Sequence, residues 1–164
     1  MTEVRIRSYG PADRAAGLRL WGELVRQEQK LYGEESYGTS FEEYLTRLEL
    51  SGVWVADHDP DGVIGLAGLV LDGARGRVEP VVVTARHRGR GVGRALLRQV
   101  AEHAGRRGLR QLLVAPQTRN QAALRCLHAA GYDRLAAVEL ALDLQDARRS
   151  AAPPVGLHDL QFRS

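Results

Sequence analysis

The stretch that most limits what this chain can fold into runs from Val81 to Leu97: Val-Val-Val-Thr-Ala-Arg-His-Arg-Gly-Arg-Gly-Val-Gly-Arg-Ala-Leu-Leu. Three β-branched apolar residues open it, the composition of a strand buried on both faces. Beyond it, Gly93, Leu96, Leu97, Val100, Ala101 and Ala104 form the 3.6-residue stripe of an amphipathic helix. Between strand and helix, Gly89, Gly91 and Gly93 alternate with Arg90 and Val92. Glycine lets a backbone turn tightly and approach a ligand closely. The first turn of a helix offers N–H groups without intrahelical partners and the positive end of its dipole. Arg88, Arg90 and Arg94 can add charge-assisted hydrogen bonds. A strand-to-helix turn so built is a cradle for an anionic, phosphorylated ligand.

The rest of the chain supplies a frame for that turn. Val4 and Ile6 alternate with Arg5 and Arg7 as a first strand. Gly10-Pro11 ends it, and Leu18, Trp21, Leu24, Val25 and Leu31 set an amphipathic helix over 12–31. Ser40 and Glu43 form a capping box before a second helix, Phe41 to Leu50. Val53–Ala56 and Val63–Leu71 are strands joined by a hairpin at Asp57–Gly62, which is dense in turn residues. Arg77 to Thr84 is a fourth strand and Leu112–Val114 a fifth. Thr118 is the expected cap of a fourth helix, with Leu124 and Leu127 on one face and Gly131 as its stop. Val138, Leu140, Leu142 and Leu144 alternate as a last long strand. No internal repeat is visible. The order predicts a mixed α/β domain over residues 1–144, with a central, mostly antiparallel sheet of six to seven strands and about four helices. Residues 145–164 carry Pro153-Pro154 and read as a tail, either flexible or a dimer contact.

Composition narrows the function classes. The chain has 164 residues and a net charge of only +3. Its basic residues are arginine apart from Lys30, and eight of the arginines fall between 86 and 110, against the single acid Glu102. A local cluster of that kind suits a phosphorylated small molecule; a nucleic-acid surface would be expected to interleave aromatics, which are missing there. The lone cysteine, Cys126, allows no internal disulfide and no multi-cysteine zinc site. His58 and His87 stand apart in turns, without a partner at metal-ligand spacing, and both read as surface residues, so no metal is expected. The N-terminus lacks the apolar segment of a signal peptide, and no apolar run reaches membrane-spanning length. A cytoplasmic setting is the expectation.

Two better-known phosphate loops do not fit. A dinucleotide-binding G-x-G-x-x-G/A pattern started at Gly89 ends on Arg94, and started at Gly91 it ends on Leu96. A nucleoside-triphosphate loop needs a Gly-Lys-Ser/Thr ending, which is absent. Arg88-Gly89-Arg90-Gly91-Val92-Gly93 instead resembles the Arg/Gln-x-x-Gly-x-Gly/Ala signature of the GNAT acyltransferase superfamily. Asn120-x-x-Ala123 through Gly131-Tyr132 is similar to that family's Asn-x-x-Ala…Gly-Phe segment. The resemblance covers about residues 3–144.

What it implies is specific. The fourth and fifth strands are splayed, and the pantetheine arm of acetyl-CoA lies in the gap. Backbone groups of Val81 and Val83 pair with that arm. Amides from Arg88 to Arg94 (Arg88, Gly89, Arg90, Gly91, Val92, Gly93, Arg94) hold the pyrophosphate, and Asn120 contacts the cofactor from the other side. The acetyl group passes directly to a primary amine of a small molecule or protein. On the fourth strand Glu79 shares a face with Val81 and Val83 and is the candidate base; its alternatives are a simple ion pair with an arginine such as Arg77, or substrate binding alone. Many family members carry a tyrosine seven residues after the motif asparagine, as general acid. Here that position is Leu127, flanked by Cys126 and His128. The missing phenol motivates an alternative, a non-catalytic acyl-CoA sensor or interaction module. Six of the nine aromatics lie between 21 and 54. Of these, Trp21, Phe41 and Trp54 read as core, whereas Tyr32 and Tyr37 are candidates to wall an acceptor site, with Glu34 and Glu35 attracting a cationic amine. The last strand and the tail are candidate contacts of a homodimer.

Overall fold

The computed structural model describes residues 3–32, 40–48, 52–142 and 153–163. Thirteen short elements follow in order, and they fall into two compact units, Met1–Ala115 and Pro116–Ser164.

The first unit holds a five-stranded sheet with the strands in sequence order: β1 (Val4–Ser8), β2 (Val53–His58), β3 (Gly62–Asp72), β4 (Arg75–Val83) and β5 (Gln111–Leu113). The first four are antiparallel neighbours, and β5 joins β4 in parallel. Helix α1 (Arg14–Tyr32) follows a 3-10 turn at Pro11–Asp13, α2 is Phe41–Thr46, and α3 is Val92–Arg106. Burial explains the mixed pattern. Val63 to Leu69 is apolar or glycine throughout and fully buried, as the middle of a sheet covered on both sides must be. Strand β4 alternates instead: Gly76, Val78, Pro80 and Val82 are buried, while Arg77, Glu79, Val81 and Val83 lie on a half-buried face. The sequence expectation that Val81–Val83 is buried on both faces is therefore corrected; only Val82 is.

Aromatic residues tie α1 and α2 to the sheet. Trp21 stacks on Tyr44 with ring centroids 5.1 Å apart, and Phe41 meets Trp21 at 5.7 Å. Trp21, Phe41 and Trp54 are all core, as the sequence suggested. The Tyr44 hydroxyl donates to the backbone carbonyl of Glu79. Gly68 makes this possible, because a Cβ there would collide with that hydroxyl and carbonyl. The start of α1 is fixed by charge. Arg7 grips Asp13 through two 2.8 Å hydrogen bonds and Asp57 through a third, also 2.8 Å. The Asp13 carboxylate, buried, also accepts the Gly10 N–H at 2.9 Å. The Arg7 hydrogen bonds hold Asp13 below the usual carboxylate range, against the opposing effect of burial.

The second unit contains α4 (Gln121–Ala129) and a hairpin of β6 (Val155–Leu157) with β7 (Leu160–Phe162). One expectation fails here. No strand forms over the described residues 138–142, where Val138, Leu140 and Leu142 are exposed, Leu142 by 82%. An alternating pattern makes a strand only when a neighbouring strand supplies the ladder, and none is paired with it. Among the described residues the central sheet thus has five strands, not six or seven. Within the stretch read as a tail, β6 and β7 pair as an antiparallel hairpin. Its two-residue turn places His158 and Asp159 at φ 49° and 65°, the doubly left-handed geometry of a type I′ hairpin. No described helix is long and apolar enough to cross a membrane.

Candidate functional site

Strand β4 runs into the turn before α3 under tight control. The Thr84 hydroxyl donates to Glu23 Oε1 at 2.8 Å, and the Ala85 N–H reaches Glu23 Oε2 at 3.3 Å. The Thr84 N–H donates to the Ile64 carbonyl at 2.9 Å. Antiparallel alternation from that bond directs the N–H and C=O of Val82 toward Leu66, and those of Val81 and Val83 to the opposite side. On that side β5 pairs only with Arg75, Gly76 and Arg77. Beyond Arg77 the two strands part, so among the described residues no strand meets Val81 or Val83 there. The Val83 carbonyl instead accepts Arg88 Nε at 2.8 Å, which folds that guanidinium back against the strand end.

The turn then delivers what its glycines promise. Gly89 has φ 73° and Gly91 φ 86°, both in the left-handed region that penalises a Cβ. Gly91 is the N-cap of α3, and no side chain caps the helix. Its carbonyl accepts the Ala95 N–H at 3.0 Å, so the helix is fully formed behind it. The N–H groups of Val92, Gly93 and Arg94 occupy the first turn, where an α-helix leaves its donors without intrahelical acceptors. No atom lies within 4 Å of a Cβ built on Gly89. Arg86, Arg90 and Arg94 are exposed, and none forms an ion pair among the described residues. Donors, dipole and unneutralised arginines all sit at one open turn.

Glu79 lies on the half-buried face of β4 with Val81 and Val83, as alternation requires. Its Oε1 is 3.5 Å from Arg47 Nη2, a loose contact made by α2's C-terminal neighbour and not by Arg77. In the second unit, Asn120 is the N-cap of α4, in place of the expected Thr118, and its Oδ1 accepts the Ala123 N–H at 3.1 Å. Leu127 is 7% exposed and faces inward on that helix, with Cys126 half-buried and His128 exposed. The Tyr132 hydroxyl is buried without a hydrogen-bond partner among the described residues, and burial pushes its pKa up to about 12.

Comparison with known proteins decides the family. Residues 19–132 match the model described as the Acetyltransferase (GNAT) family. The chain belongs to the GNAT acetyltransferases. Glucosamine 6-phosphate N-acetyltransferase 1 of Oryza sativa subsp. japonica is 36% identical over 89 residues, a match spanning 49% of this chain and 54% of that protein. The chain thus aligns with about half the length of that curated relative. Among solved structures, an acetyltransferase of Trypanosoma brucei superposes with TM-score 0.63 at 23% identity, covering 87% of this chain and 100% of the other. Glucosamine-6-phosphate N-acetyltransferase of Arabidopsis thaliana gives TM-score 0.62 at 16% identity, covering 87% and 99%. At such identities these structures bear on the fold alone, and the fold agrees.

Within this GNAT domain the sequence-predicted residues Val81, Val83 and Arg88 to Arg94 form one continuous strand end and turn, with Glu79 two residues before Val81. Tyr32 ends α1, while Tyr37, Glu34 and Glu35 lie outside the described residues. Three features escaped the sequence. Glu23 supports the strand end from α1, and 61 residues separate it from Thr84, so only the fold reveals the pair. Arg47 partners Glu79 for the same reason. His58 and His87, expected as isolated surface residues, meet with ring centroids 4.9 Å apart, and His87 is 5% exposed. The hairpin register brings them together; nothing in their local spacing signals it.

Proposed function

We propose that this GNAT protein transfers an acetyl group from acetyl-CoA to a primary amine by direct attack, without a covalent enzyme intermediate. The observation that carries the reading is the uncapped start of α3, with Gly89 and Gly91 in left-handed conformation, next to a strand edge that β5 leaves unpaired. A diphosphate fits donors and arginines of this kind. A pantetheine arm carries amide groups that can pair with a strand edge as another strand would. The residues that would hold acetyl-CoA are Val81 and Val83 along the arm, and Arg88, Gly89, Arg90, Gly91, Val92, Gly93 and Arg94 at the phosphates.

Acetyl-CoA supplies the thioester, whose carbon–sulfur bond breaks as the carbon–nitrogen bond forms. A backbone N–H on β4 would polarise the carbonyl. Glu79 would accept the proton released by the attacking amine, since its contact with Arg47 engages Oε1 alone. With Leu127 buried at the position where the resemblance leads one to expect a phenol, the departing thiolate takes its proton from solvent. Thiolates leave readily, so this step tolerates the loss. Leu127 also supports a second reading, an acyl-CoA-binding module without turnover.

Thiol release on mixing acetyl-CoA with an amine panel tests the two. Glucosamine 6-phosphate, the acceptor named for the rice relative, belongs in that panel beside peptide N-terminal amines. Turnover on at least one amine is expected, with Glu79→Gln lowering kcat about 100-fold. Tight binding without turnover on any amine would favour the second reading. Absence of acetyl-CoA binding by calorimetry would remove both.

A further inference from the structure

We propose that His58, Asp61 and His87 form a binding site for one divalent transition-metal ion of the zinc type. One donor atom from each residue lies within 4.8 Å of the others. His87 Nε2 is 3.0 Å from Asp61 Oδ2, and His58 Nδ1 is 3.2 Å from the same oxygen. Donors on a tetrahedron with zinc bonds of about 2.0–2.1 Å are separated by roughly 3.3 Å. Two of the three edges already have nearly that length, and drawing the two imidazoles together along the third would centre an ion.

The polar bookkeeping of the cluster is incomplete without a ligand. His58 Nδ1, the donor atom that faces Asp61 at 3.2 Å, is buried and without a hydrogen-bond partner among the described residues. Buried imidazole nitrogens are ordinarily satisfied. The donor set, two imidazoles and one carboxylate, is the kind zinc accepts while leaving a fourth position open, and imidazole disfavours magnesium and calcium.

The backbone holds the three donors in place. His58 closes β2 and is paired on both sides, to Val4 and to Gly62. Asp61 sits in the turn between them. The His87 N–H donates to the Thr84 carbonyl at 3.0 Å, and Thr84 is itself held by Glu23 and Ile64. An ion here would clip the β2–β3 turn to the residue just ahead of Arg88. The proposal stands independently of the acyl donor and acceptor.

The test uses the full chain, purified with chelator and titrated with Co²⁺ followed by Zn²⁺ competition. Wild type should bind one Co²⁺ with the absorption of a low-coordinate site, and Zn²⁺ should displace it and raise the melting temperature. Because His87 is buried and its replacement could unfold the chain, the variants are His58→Gln and Asp61→Asn, checked by circular dichroism. Each should weaken binding at least tenfold and abolish the Zn²⁺-dependent melting shift. No saturable one-to-one binding in wild type, or unchanged affinity in both folded variants, overturns the site.

Discussion

At the start of α4 the Asn120 Oδ1 accepts the Ala123 N–H, whereas at the start of α3 the same position is Gly91, which has no side chain to offer. The start of α2 sides with α4. Ser40 Oγ accepts the Glu43 N–H at 3.2 Å while Glu43 Oε2 accepts the Ser40 N–H at 2.9 Å. The 3-10 turn that leads into α1 also begins on a glycine, Gly10, but there Asp13 reaches back to take the Gly10 N–H and Pro11 removes one donor. Two helices thus cap a first-turn donor with a side chain. Helix α3 has neither such a cap nor an acidic residue in its first turn. Helix propensity alone does not explain that choice, because a serine or aspartate cap typically stabilises a helix by about 1 kcal/mol. An open start makes sense where an incoming anion does the capping.

The contrast can be broken at each of these starts. The largest effect is expected at Asp13, where the hydrogen bond to Gly10 at the helix entry and an ion pair coincide. Replacing it with asparagine leaves the half-buried Arg7 short of its strongest partner and should cost about 3 kcal/mol in denaturant unfolding. Asp13 ionises more readily in the folded than in the unfolded chain. Its contribution is therefore fully present above the unfolded carboxylate value of about 4 and is lost as pH falls through the lower folded value. Unfolding measured against pH should show a steep acid limb in wild type and a flatter one in Asp13→Asn.

Next comes Gly91→Asp, which gives α3 the kind of start α4 has. Aspartate tolerates the left-handed conformation better than most residues and would place a carboxylate where phosphate is expected. Acetyl-CoA affinity by calorimetry should fall about 100-fold, close to 3 kcal/mol, with the chain still folded. Unchanged affinity would show that the donor binds elsewhere.

The smallest effect is expected at Asn120. If its amide serves the helix, Asn120→Ala should lower stability by about 1 kcal/mol and leave acetyl-CoA affinity nearly unchanged. A fall in affinity at constant stability would instead give Asn120 the cofactor contact that the motif resemblance implies.

Local chemistry was legible in the sequence, and long-range pairing was not. The Ser40–Glu43 box, the Asp57–Gly62 hairpin and the Gly89–Gly93 turn each follow from residues a few positions apart, and each forms. The face shared by Glu79, Val81 and Val83 was read from alternation alone. By contrast, Val138–Leu142 has a strand's pattern without a strand's partner. Glu23 with Thr84, Arg47 with Glu79, and His58 with His87 depend on sheet register and helix docking, which periodicity does not encode.

The parting of β4 from β5 has a consequence for handling the protein. Among the described residues no strand meets the main-chain groups of Val81 and Val83 on that side, where only the Val83 carbonyl is taken, by Arg88, and open sheet edges recruit extended segments from other molecules. Storage with acetyl-CoA or its thiol product should therefore slow self-association in concentrated solution, as light scattering would reveal.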